Sequence, residues 1–344
     1  MRCPCYNLEK STGQVDPYHA FAAISDKFRL SHLAHCPDCL IWPKRKSHDV
    51  TPHRALPVLL TIVFDGIAYG MLLFILACGL SVTLGLMNFV NLAHGAFAML
   101  GGYIMVLLVR DANVPFLLSL PAAFVVCALA GLLSERLLYR RLYTRSHLDQ
   151  VLFSIGLVFM ASSAADYFAG STKQLIDLPA SLTRPVDLGF VTIRLYRLIF
   201  MGICAAIAVS LQLVISQTRF GAQLRAAVDN PRVAAGLGIH VSRIFALTFA
   251  TGSGLVGLGG AMAAVLFGVS PAFPIEYMAS FLIVVTVGGA GSLVGTFCAA
   301  LLLGLCDVAS KYYLPGIGAF AIYAAMVLVL IVRPQGLFAV AGQR

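Results

Sequence analysis

The chain has 344 residues, of which 59% are hydrophobic and only 11% are charged. A soluble globular protein carries about 25% charged residues, so this composition excludes a water-soluble monomer and indicates a polytopic membrane protein. The formal net charge of +9 does not require a nucleic acid, because basic loops flanking apolar spans are expected on the cytoplasmic side of a membrane.

The first 55 residues are a polar N-terminal extension that differs from the rest of the chain. They contain four cysteines, Cys3, Cys5, Cys36 and Cys39. The pair Cys36-x-x-Cys39 would supply one half of a zinc site, but Cys3-x-Cys5 is an atypical second half about thirty residues away. We therefore expect a disordered or mis-annotated extension, with zinc binding as the open alternative.

Long charge-free runs begin after the extension. The first, 66–109, is too long for one membrane crossing, which needs about 20 residues. We expect two helices there, about Pro57–Leu84 and Asn91–Val109, with Asp65 inside the first. The other runs are 112–134, 150–165, 198–218, 244–275, 277–306 and 312–332.

A glycine cluster interrupts the run 277–306. A helix of 30 residues would be about 45 Å long, against a hydrocarbon core of about 30 Å. We expect it to break at Gly288, Gly289 and Gly291, which are candidate pathway residues because glycine-interrupted segments in both halves of a chain point to a central transport site. The predicted fold class is an all-α polytopic membrane protein with about 8–10 transmembrane helices, some short or broken at glycine clusters.

Basic loops set the expected orientation. Arginines cluster in 136–145 and again in 219–243, and two spans separate these loops, so both lie on one side, which the positive-inside rule makes the cytoplasm. The intervening loop 170–197 is then outside. Placing Arg333 in the cytoplasm gives about nine crossings and leaves the N-terminal extension outside, unless the first run contains a re-entrant piece.

The run 66–109 contains a polar cluster. Asn88, Asn91 and Gly95 are spaced i, i+3, i+7 and share one helical face, with His94 beside Asn91. Polar groups are unfavourable in lipid unless they face a bundle interior or a water-filled path, and glycines permit close helix packing. The pattern is equally consistent with a gate in a translocation path and with hydrogen bonds between packed helices.

The basic loop 217–243 is too long for a simple connection. It predicts two short helices, because Asp229 or Asn230 can cap a helix that begins with Pro231, and Gly238 can end it. An exposed amphipathic helix in a membrane protein favours docking into a groove of a partner. A solvated linker on the membrane surface is the alternative.

Four segments, in order, carry a family resemblance. They are NFVNLAHGAFAMLGGY (88–103), RFGAQLRAAVDNPRVAAGLGI (219–239) followed by ALTFATGSGLVGLGGAM (246–262), VVTVGGAGSLVGTFCAALLLG (284–304) and RPQGLF (333–338). With them the chain resembles the inner-membrane permease of branched-chain amino acid ABC importers from about Pro57 to Phe338. The resemblance implies a transmembrane permease domain over 56–338, with a coupling loop at 217–243 and a short tail at 339–344.

The resemblance also implies roles for particular residues. Asn91, His94 and Gly95 match the family's Asn-Phe-Ala-His-Gly, with Leu92 in place of the aromatic residue, which favours the pathway interpretation of the polar cluster. The residues that match the segment gripped by the family's ATPase are Gly221, Arg225, Ala226, Asp229 and Gly238.

Partners follow from the same resemblance. A permease of this family works in the cell inner membrane, surrounded by lipid, with a homologous permease or a second copy, cytoplasmic ATP-binding subunits and a periplasmic substrate-binding protein. The expected function is import of branched-chain or related amino acids. ATP hydrolysis belongs to a partner chain, since no G-x-x-x-x-G-K-[ST] phosphate loop occurs here. We expect no catalytic residue, cofactor, metal ligand or nucleic acid partner.

Other functions stay open. A permease of the same family for urea or short amides would share the motifs, so the resemblance does not assign a substrate to this chain. A self-sufficient channel or secondary transporter would need ion-coupling acids, and the candidates near span ends are Asp65, Asp166, Glu276 and Asp307. A membrane enzyme is disfavoured, because the spans contain no H-E-x-x-H motif and no clustered cysteines and histidines.

Overall fold

The structure is a computed structural model, and it describes residues 52–87, 91–143, 145–176, 178, 180–187, 192–289 and 291–338. The N-terminal extension up to residue 51, with its four candidate zinc cysteines, lies outside the described residues. So do residues 339–344 and Asn88, the first member of the predicted polar cluster.

Helices account for most of the described chain. A short antiparallel pair, β1 (Pro185–Asp187) and β2 (Thr192–Arg194), is the only sheet in that part. The helices are α1 (Pro52–Met87), α2 (His94–Val106), α3 (Phe116–Leu137), α4 (His147–Ala169), α5 (Ala180–Thr183), α6 (Leu195–Gln217), α7 (Arg219–Asp229), α8 (Pro231–Gly236), α9 (Val241–Phe267), α10 (Phe273–Gly288), α11 (Leu293–Tyr313) and α12 (Ala321–Val332). The predicted all-α polytopic fold is confirmed.

Six helices of the described residues, α1, α3, α4, α6, α9 and α11, are long and apolar enough to cross a membrane. The apolar helices α2, α10 and α12 have only 13, 16 and 12 residues. At 1.5 Å per residue they reach about 18–24 Å, short of the hydrocarbon core of about 30 Å. The expected total of about nine is reached only when these three are included.

The runs 66–109 and 277–306 both break, as predicted. Asp65 lies inside α1, and α2 is a separate helix. Between α10 and α11, Gly289 and Gly291 have φ angles of 94° and 84°, a left-handed conformation that favours glycine. Ser292 then caps α11, because its hydroxyl accepts the backbone N–H of Gly295 at 3.1 Å.

Helix α9 is the centre of the bundle. In its most apolar 18-residue window 78% of the residues are buried, against 11% in α4 and in α6, which are peripheral. A Cβ at Gly260 would overlap the carbonyl of Ala98 on α2, and a Cβ at Gly101 would overlap the carbonyl of Gly257 on α9. The backbones of α2 and α9 therefore touch, as small residues allow in membrane bundles.

Helix α11 packs antiparallel against α1 and joins the two halves of the chain. A Cβ at Gly70 would lie 2.7 Å from the carbonyl oxygen of Ala300. Farther along α1, the hydroxyls of Ser81 and Thr296 form a hydrogen bond of 2.9 Å. Both contacts require small side chains, because the helix backbones lie too close for larger ones.

Candidate functional site

An elongated cavity of about 660 Å³ lies between α2, α3 and α4. From Ala96 to Arg110 it follows 15 residues, whose 14 rises of 1.5 Å give about 21 Å, much of the bilayer core. Its walls are mostly alanine, leucine and phenylalanine, with Arg110, Asp111 and Gln174 at one end and Ser134 near the other. The positive-inside rule, which predicts that the basic loops lie in the cytoplasm, would place the Arg110 end outside.

A buried polar cluster lies beyond the inner end of this cavity. The Oδ1 atom of Asn91 accepts hydrogen bonds from the Ala93 backbone N–H and the Tyr139 hydroxyl, both at 3.0 Å. The Asn91 carbonyl pairs with Nδ1 of His94 at 2.9 Å. Because a carbonyl only accepts, the ring hydrogen of His94 lies on Nδ1. Asn91 thus ties the start of α2 to the end of α3.

Two polar atoms of this cluster have no partner among the described residues, Nδ2 of Asn91 and Nε2 of His94. Aromatic rings surround them, and the centre of the Phe249 ring lies 6.0 Å from that of His94. Leaving a buried polar group unsatisfied costs about 1–3 kcal/mol. These atoms therefore need a partner beyond the described residues, such as water, a ligand or a group reached in another conformation.

The cluster and the cavity are separated by one aromatic layer. Phe97 lines the inner end of the cavity and packs edge-on against Phe249, with ring centres 6.1 Å apart. Gly95 lies against the start of α10, where a Cβ would be 3.1 Å from the Cα of Pro274. The described members of the predicted cluster therefore lie together, next to the cavity rather than on its wall.

A second polar pair, partly buried, lies at the C-terminal end of α3. The Tyr143 hydroxyl donates to Oε1 of Glu135 at 3.1 Å. Burial, together with the negative charge of Glu135, raises the pKa of Tyr143 well above its usual value. The hydroxyl therefore keeps its proton and remains a donor to the carboxylate.

The loop 217–243 forms the two short helices that its sequence predicts, α7 and α8. The Thr218 hydroxyl accepts the backbone N–H of Gly221 at 3.3 Å, and Oδ1 of Asn230 accepts that of Val233 at 3.1 Å, so each helix has a side-chain cap. Gly221 packs directly on the end of α6, because a Cβ there would overlap the carbonyl of Ile215.

Three more of the matched residues, Arg225, Ala226 and Asp229, also lie on α7. Arg225 reaches back to α6, where its guanidinium donates to the Ile215 carbonyl. Ala226 is half-buried, and Asp229 is exposed. This helix is thus attached to the end of α6 at two points, while its polar face stays open.

Gly238 ends α8 in a Schellman turn. The N–H of Ile239 donates to the Ala234 carbonyl and that of Gly238 to the Ala235 carbonyl, both at 3.0 Å, and the φ angle of Gly238 is 83°. Among the described residues, apart from its chain neighbours, no atom lies within 4 Å of where its Cβ would be. The position therefore needs glycine for its backbone conformation and not for lack of space.

Apolar side chains on α8 and its end point away from the bundle. Val233 is 57% exposed and Leu237 is 76% exposed. The exposed side chains of Arg219, Arg232 and Arg243 lie on the same loop. Apolar side chains this exposed, in a positively charged loop, suit a surface that another protein covers.

The glycine turn between α10 and α11 packs against the C-terminal segment. The N–H groups of Leu337 and Phe338 donate to the carbonyls of Val287 and Gly288 at 2.8 and 3.3 Å. A Cβ at Gly288 would lie 2.6 Å from the backbone nitrogen of Thr296. The last residues of the family resemblance therefore brace this turn.

The same turn borders α7. A cavity of about 260 Å³ is lined by Arg225, Gly291 and Ser292, among others. Gly289 is buried, and its Cα would lie 2.7 Å from a Cβ at Gly336. Of the predicted pathway glycines, only Gly291 lines this cavity beside α7, and none of the three lines the 660 Å³ cavity.

Two of the candidate ion-coupling acids are paired with cations. The Asp65 carboxylate pairs with the Arg197 guanidinium, and Asp307, which is buried, pairs with Nζ of Lys311 at 2.6 Å. Each of these two acids therefore already has a cation beside it. No group of three or more His, Cys, Asp or Glu side chains among the described residues could hold a metal ion.

Three residues near the cavity could not be identified as candidates from the sequence. The sequence places Tyr139 in an arginine-rich loop, although its side chain is fully buried and its hydroxyl donates a hydrogen bond to Asn91. Arg110 and Asp111 read as charges that end a span, although both line the cavity. The only sequence signals were a tyrosine within a basic loop and an adjacent acid–base pair after an apolar run.

Residues 62–332 match the model of a family described as "Branched-chain amino acid transport system / permease component". The match runs from within α1 to the end of α12 and leaves out the N-terminal extension. It therefore covers the whole bundle, including the cavity and the coupling loop.

Curated relatives are similar over most of the chain. The high-affinity branched-chain amino acid transport system permease protein LivH of Escherichia coli K12 is 25% identical over 291 residues, covering 80% of this chain and 94% of LivH. The probable branched-chain amino acid transport permease protein LivH of Methanocaldococcus jannaschii is 26% identical, with 80% and 91% covered. The permease protein BraD of Pseudomonas aeruginosa, from a high-affinity branched-chain amino acid transport system, is 26% identical, with 79% and 93% covered. No solved structure matches the chain significantly.

Proposed function

The chain belongs to the branched-chain amino acid transport permease family, and on this basis we propose that it forms the translocation path of an ATP-driven importer in the cell inner membrane. Branched-chain or related amino acids are the proposed substrates, as the names of its relatives suggest. Separate cytoplasmic subunits hydrolyse ATP, a second homologous permease or a second copy completes the pore, and a periplasmic binding protein delivers the substrate.

The 660 Å³ cavity is the part of the path that this chain contributes. Its length and its mostly apolar walls suit a substrate with an aliphatic side chain. The inner end is closed by Phe97 and, behind it, by Asn91, His94 and Gly95, which act as a gate. When the gate opens, the two unpartnered polar atoms of Asn91 and His94 gain water or substrate as partners. This gain offsets part of the free energy lost when the aromatic packing separates.

The loop 217–243 supports the coupling role because one of its sides is attached to the bundle and the other is exposed. On one side, Gly221 and Arg225 attach it to the end of α6. On the other, Val233 and Leu237 are exposed and uncovered. ATPase closure would pull on the exposed side, and the attached side would transmit the movement to α6. The remaining matched residues, Ala226, Asp229 and Gly238, shape the same surface.

The glycine turn gives the movement a route to the second half of the chain. Gly291 and Arg225 line the same 260 Å³ cavity, so a shift of α7 toward this turn would close the cavity and bring the two into contact. Gly288 and Gly289 then act as a hinge between α10 and α11. The left-handed backbone at Gly289 and Gly291 supports this role, because glycine can change φ at little energetic cost.

Co-purification from native membranes tests the proposed function. The tagged chain is solubilised gently and the accompanying proteins are identified. We expect a stoichiometric ATPase with a phosphate loop. Leu237→Ser should lose it, because this substitution removes the most exposed apolar side chain of the docking surface.

Leu314→Ser is the matched control, since Leu314 is also exposed but follows α11 at its end away from the coupling loop. This variant should retain the ATPase. A chain that purifies alone, under conditions where a known ABC importer stays intact, would contradict the proposal and favour a self-sufficient transporter. Uptake of urea instead of leucine by the purified complex would keep the importer class and replace the substrate.

A further inference from the structure

A helical turn of unusual geometry forms the polar end of the 660 Å³ cavity, at Arg110 and Asp111, which we call its mouth. Residues Leu107–Asp111 form a π-helical turn, in which the N–H of Ala112 donates to the Leu107 carbonyl at 3.0 Å. Asn113 follows with a φ angle of 54°, which is uncommon for a residue other than glycine. Such turns are frequent at functional sites. Arg110 and Asp111, although adjacent in sequence, both line the same cavity.

Two hydrogen bonds position Arg110 and leave most of its donors open. Nε donates to Oδ1 of Asp111 at 3.0 Å, and Nη1 donates to Oε1 of Gln174 at 2.5 Å. Gln174 is itself held, because its backbone exchanges bonds of 2.8 and 2.9 Å with Val269. A guanidinium has five N–H donors, so three have no partner among the described residues. The Arg110 and Asp111 side chains are 51% and 48% exposed.

Behind this mouth the cavity is apolar and has the volume of a small-molecule site, typically about 300–1,000 Å³. The wall on α4 consists largely of small side chains, Ala161, Ala164 and Ala165, which leave room for a branched aliphatic group. The Tyr103 hydroxyl also lies here, buried and without a partner among the described residues. It supplies a polar contact for water or a ligand inside an otherwise apolar space.

We propose that this mouth binds a zwitterionic amino acid with an aliphatic side chain, through Arg110 on its carboxylate and Asp111 on its ammonium group. The aliphatic side chain points inward along the alanine wall. The proposal rests on the proposed transport function and deepens it, because it names the groups that would select the substrate within this chain.

The charge balance favours a zwitterion over other small solutes. Arg110 and Asp111 together carry no net charge, so a simple anion or cation meets one attractive and one repulsive group. A zwitterion places each of its charges against the opposite one, and a guanidinium can bind a carboxylate with two parallel hydrogen bonds. Urea has no charge for either group and no aliphatic part for the cavity.

Binding to the purified complex of permease and ATPase subunits in lipid nanodiscs, without the periplasmic binding protein, tests the proposal directly. Radiolabelled leucine is the probe, and the competitors are 4-methylpentanoate, isoamylamine and urea. These carry the carboxylate alone, the ammonium alone and neither charge. We expect unlabelled leucine to compete at least ten-fold better than any of the three. Equal competition by urea would overturn the proposal.

Arg110→Gln and Asp111→Asn should each weaken leucine binding about ten- to hundred-fold, because each removes a charge-assisted hydrogen bond. Arg194→Gln is the matched control, since this exposed arginine lies outside the cavity. Ala161→Leu should fill the apolar part and weaken leucine binding much more than alanine binding. A folding defect would weaken the binding of leucine and alanine equally. The ratio of the two affinities therefore distinguishes a changed site from a general loss of structure. Leucine binding equal in Arg110→Gln and Arg194→Gln would overturn the proposal.

The outcomes distinguish this site from the importer function. Leucine binding that depends on Arg110, in a complex that transports without ATP, would refute the importer function and leave the site standing. ATP-driven leucine uptake that is unchanged in Arg110→Gln and Asp111→Asn would refute the site and leave the importer function standing.

Discussion

Replacing Gly238 by alanine tests whether the backbone turn after α8 holds the docking surface in place. The φ angle of 83° lies in the left-handed region, which costs an L-residue roughly 1–2 kcal/mol. Nothing lies within 4 Å of the new Cβ, so steric overlap adds no further penalty. Because 1.4 kcal/mol is a factor of ten, the docking-competent population of the loop should fall about five- to thirty-fold.

Gly236→Ala is the matched control for this substitution. Gly236 is also exposed, with nothing within 4 Å of its Cβ position, but it is the last residue of α8 and has no positive φ angle. Alanine there should stabilise the helix by up to about 1 kcal/mol. Gly238→Asn should recover part of the lost affinity, because asparagine tolerates the left-handed region better than alanine does.

The assay is a titration of the ATPase subunit against each purified permease variant in nanodiscs. We expect Gly238→Ala to weaken the affinity about five- to thirty-fold, Gly238→Asn to weaken it less, and Gly236→Ala to leave it unchanged. If the alanine variants at the two positions bind the ATPase equally, the turn does not present the docking surface and the reasoning is refuted.

Three further predictions test the bundle, the gate and one ion pair. Gly101→Leu should prevent stable folding, because the side chain would overlap the α9 backbone, whereas Gly202→Leu on the open face of α6 should melt like the unmodified protein. Asn91→Ala should lower the free energy of unfolding by about 1–3 kcal/mol and increase passive leucine leak from proteoliposomes. Asp307→Asn should weaken stability little, with a coupling to Lys311 of about 1 kcal/mol or less in a double-mutant cycle, because the Lys311 side chain is 54% exposed.

Each of these has a contrary outcome. Equal melting of the two leucine variants would show that α2 and α9 do not pack backbone to backbone. An Asn91→Ala protein that is as stable as the unmodified protein and leaks no more leucine would argue against a gate at this cluster. A coupling well above 1 kcal/mol between Asp307 and Lys311 would mean that this pair is a larger structural element than its exposure suggests.

The helix breaks were predictable because they depend on local chemistry. A charge-free run of 44 residues, 66–109, cannot be one crossing. The glycines clustered at 288–291 predict that the run 277–306 breaks there. The caps and the Gly238 turn of the coupling loop follow from the same local rules. For these elements neighbouring residues decide the structure.

The packing was not predictable, because it depends on contacts between distant segments. Helix α9 contains five glycines and α4 only one, which favours close packing of α9, but the sequence does not show which helices it packs against. Tyr139 meets Asn91 across 48 residues of chain. Arg110 gains its role from the π-helical turn and from Gln174, 64 residues away. Those relationships emerge only when the helices are assembled.

ATP-driven uptake by the purified complex tests the central claim most directly. The complex is reconstituted into proteoliposomes with ATP on the side of the coupling loop, and radiolabelled leucine is added with the binding protein on the other side. Uptake that requires ATP hydrolysis and persists when ionophores collapse all ion gradients is the predicted result. Uptake that proceeds without ATP, or that stops when an ion gradient is removed, would contradict the account.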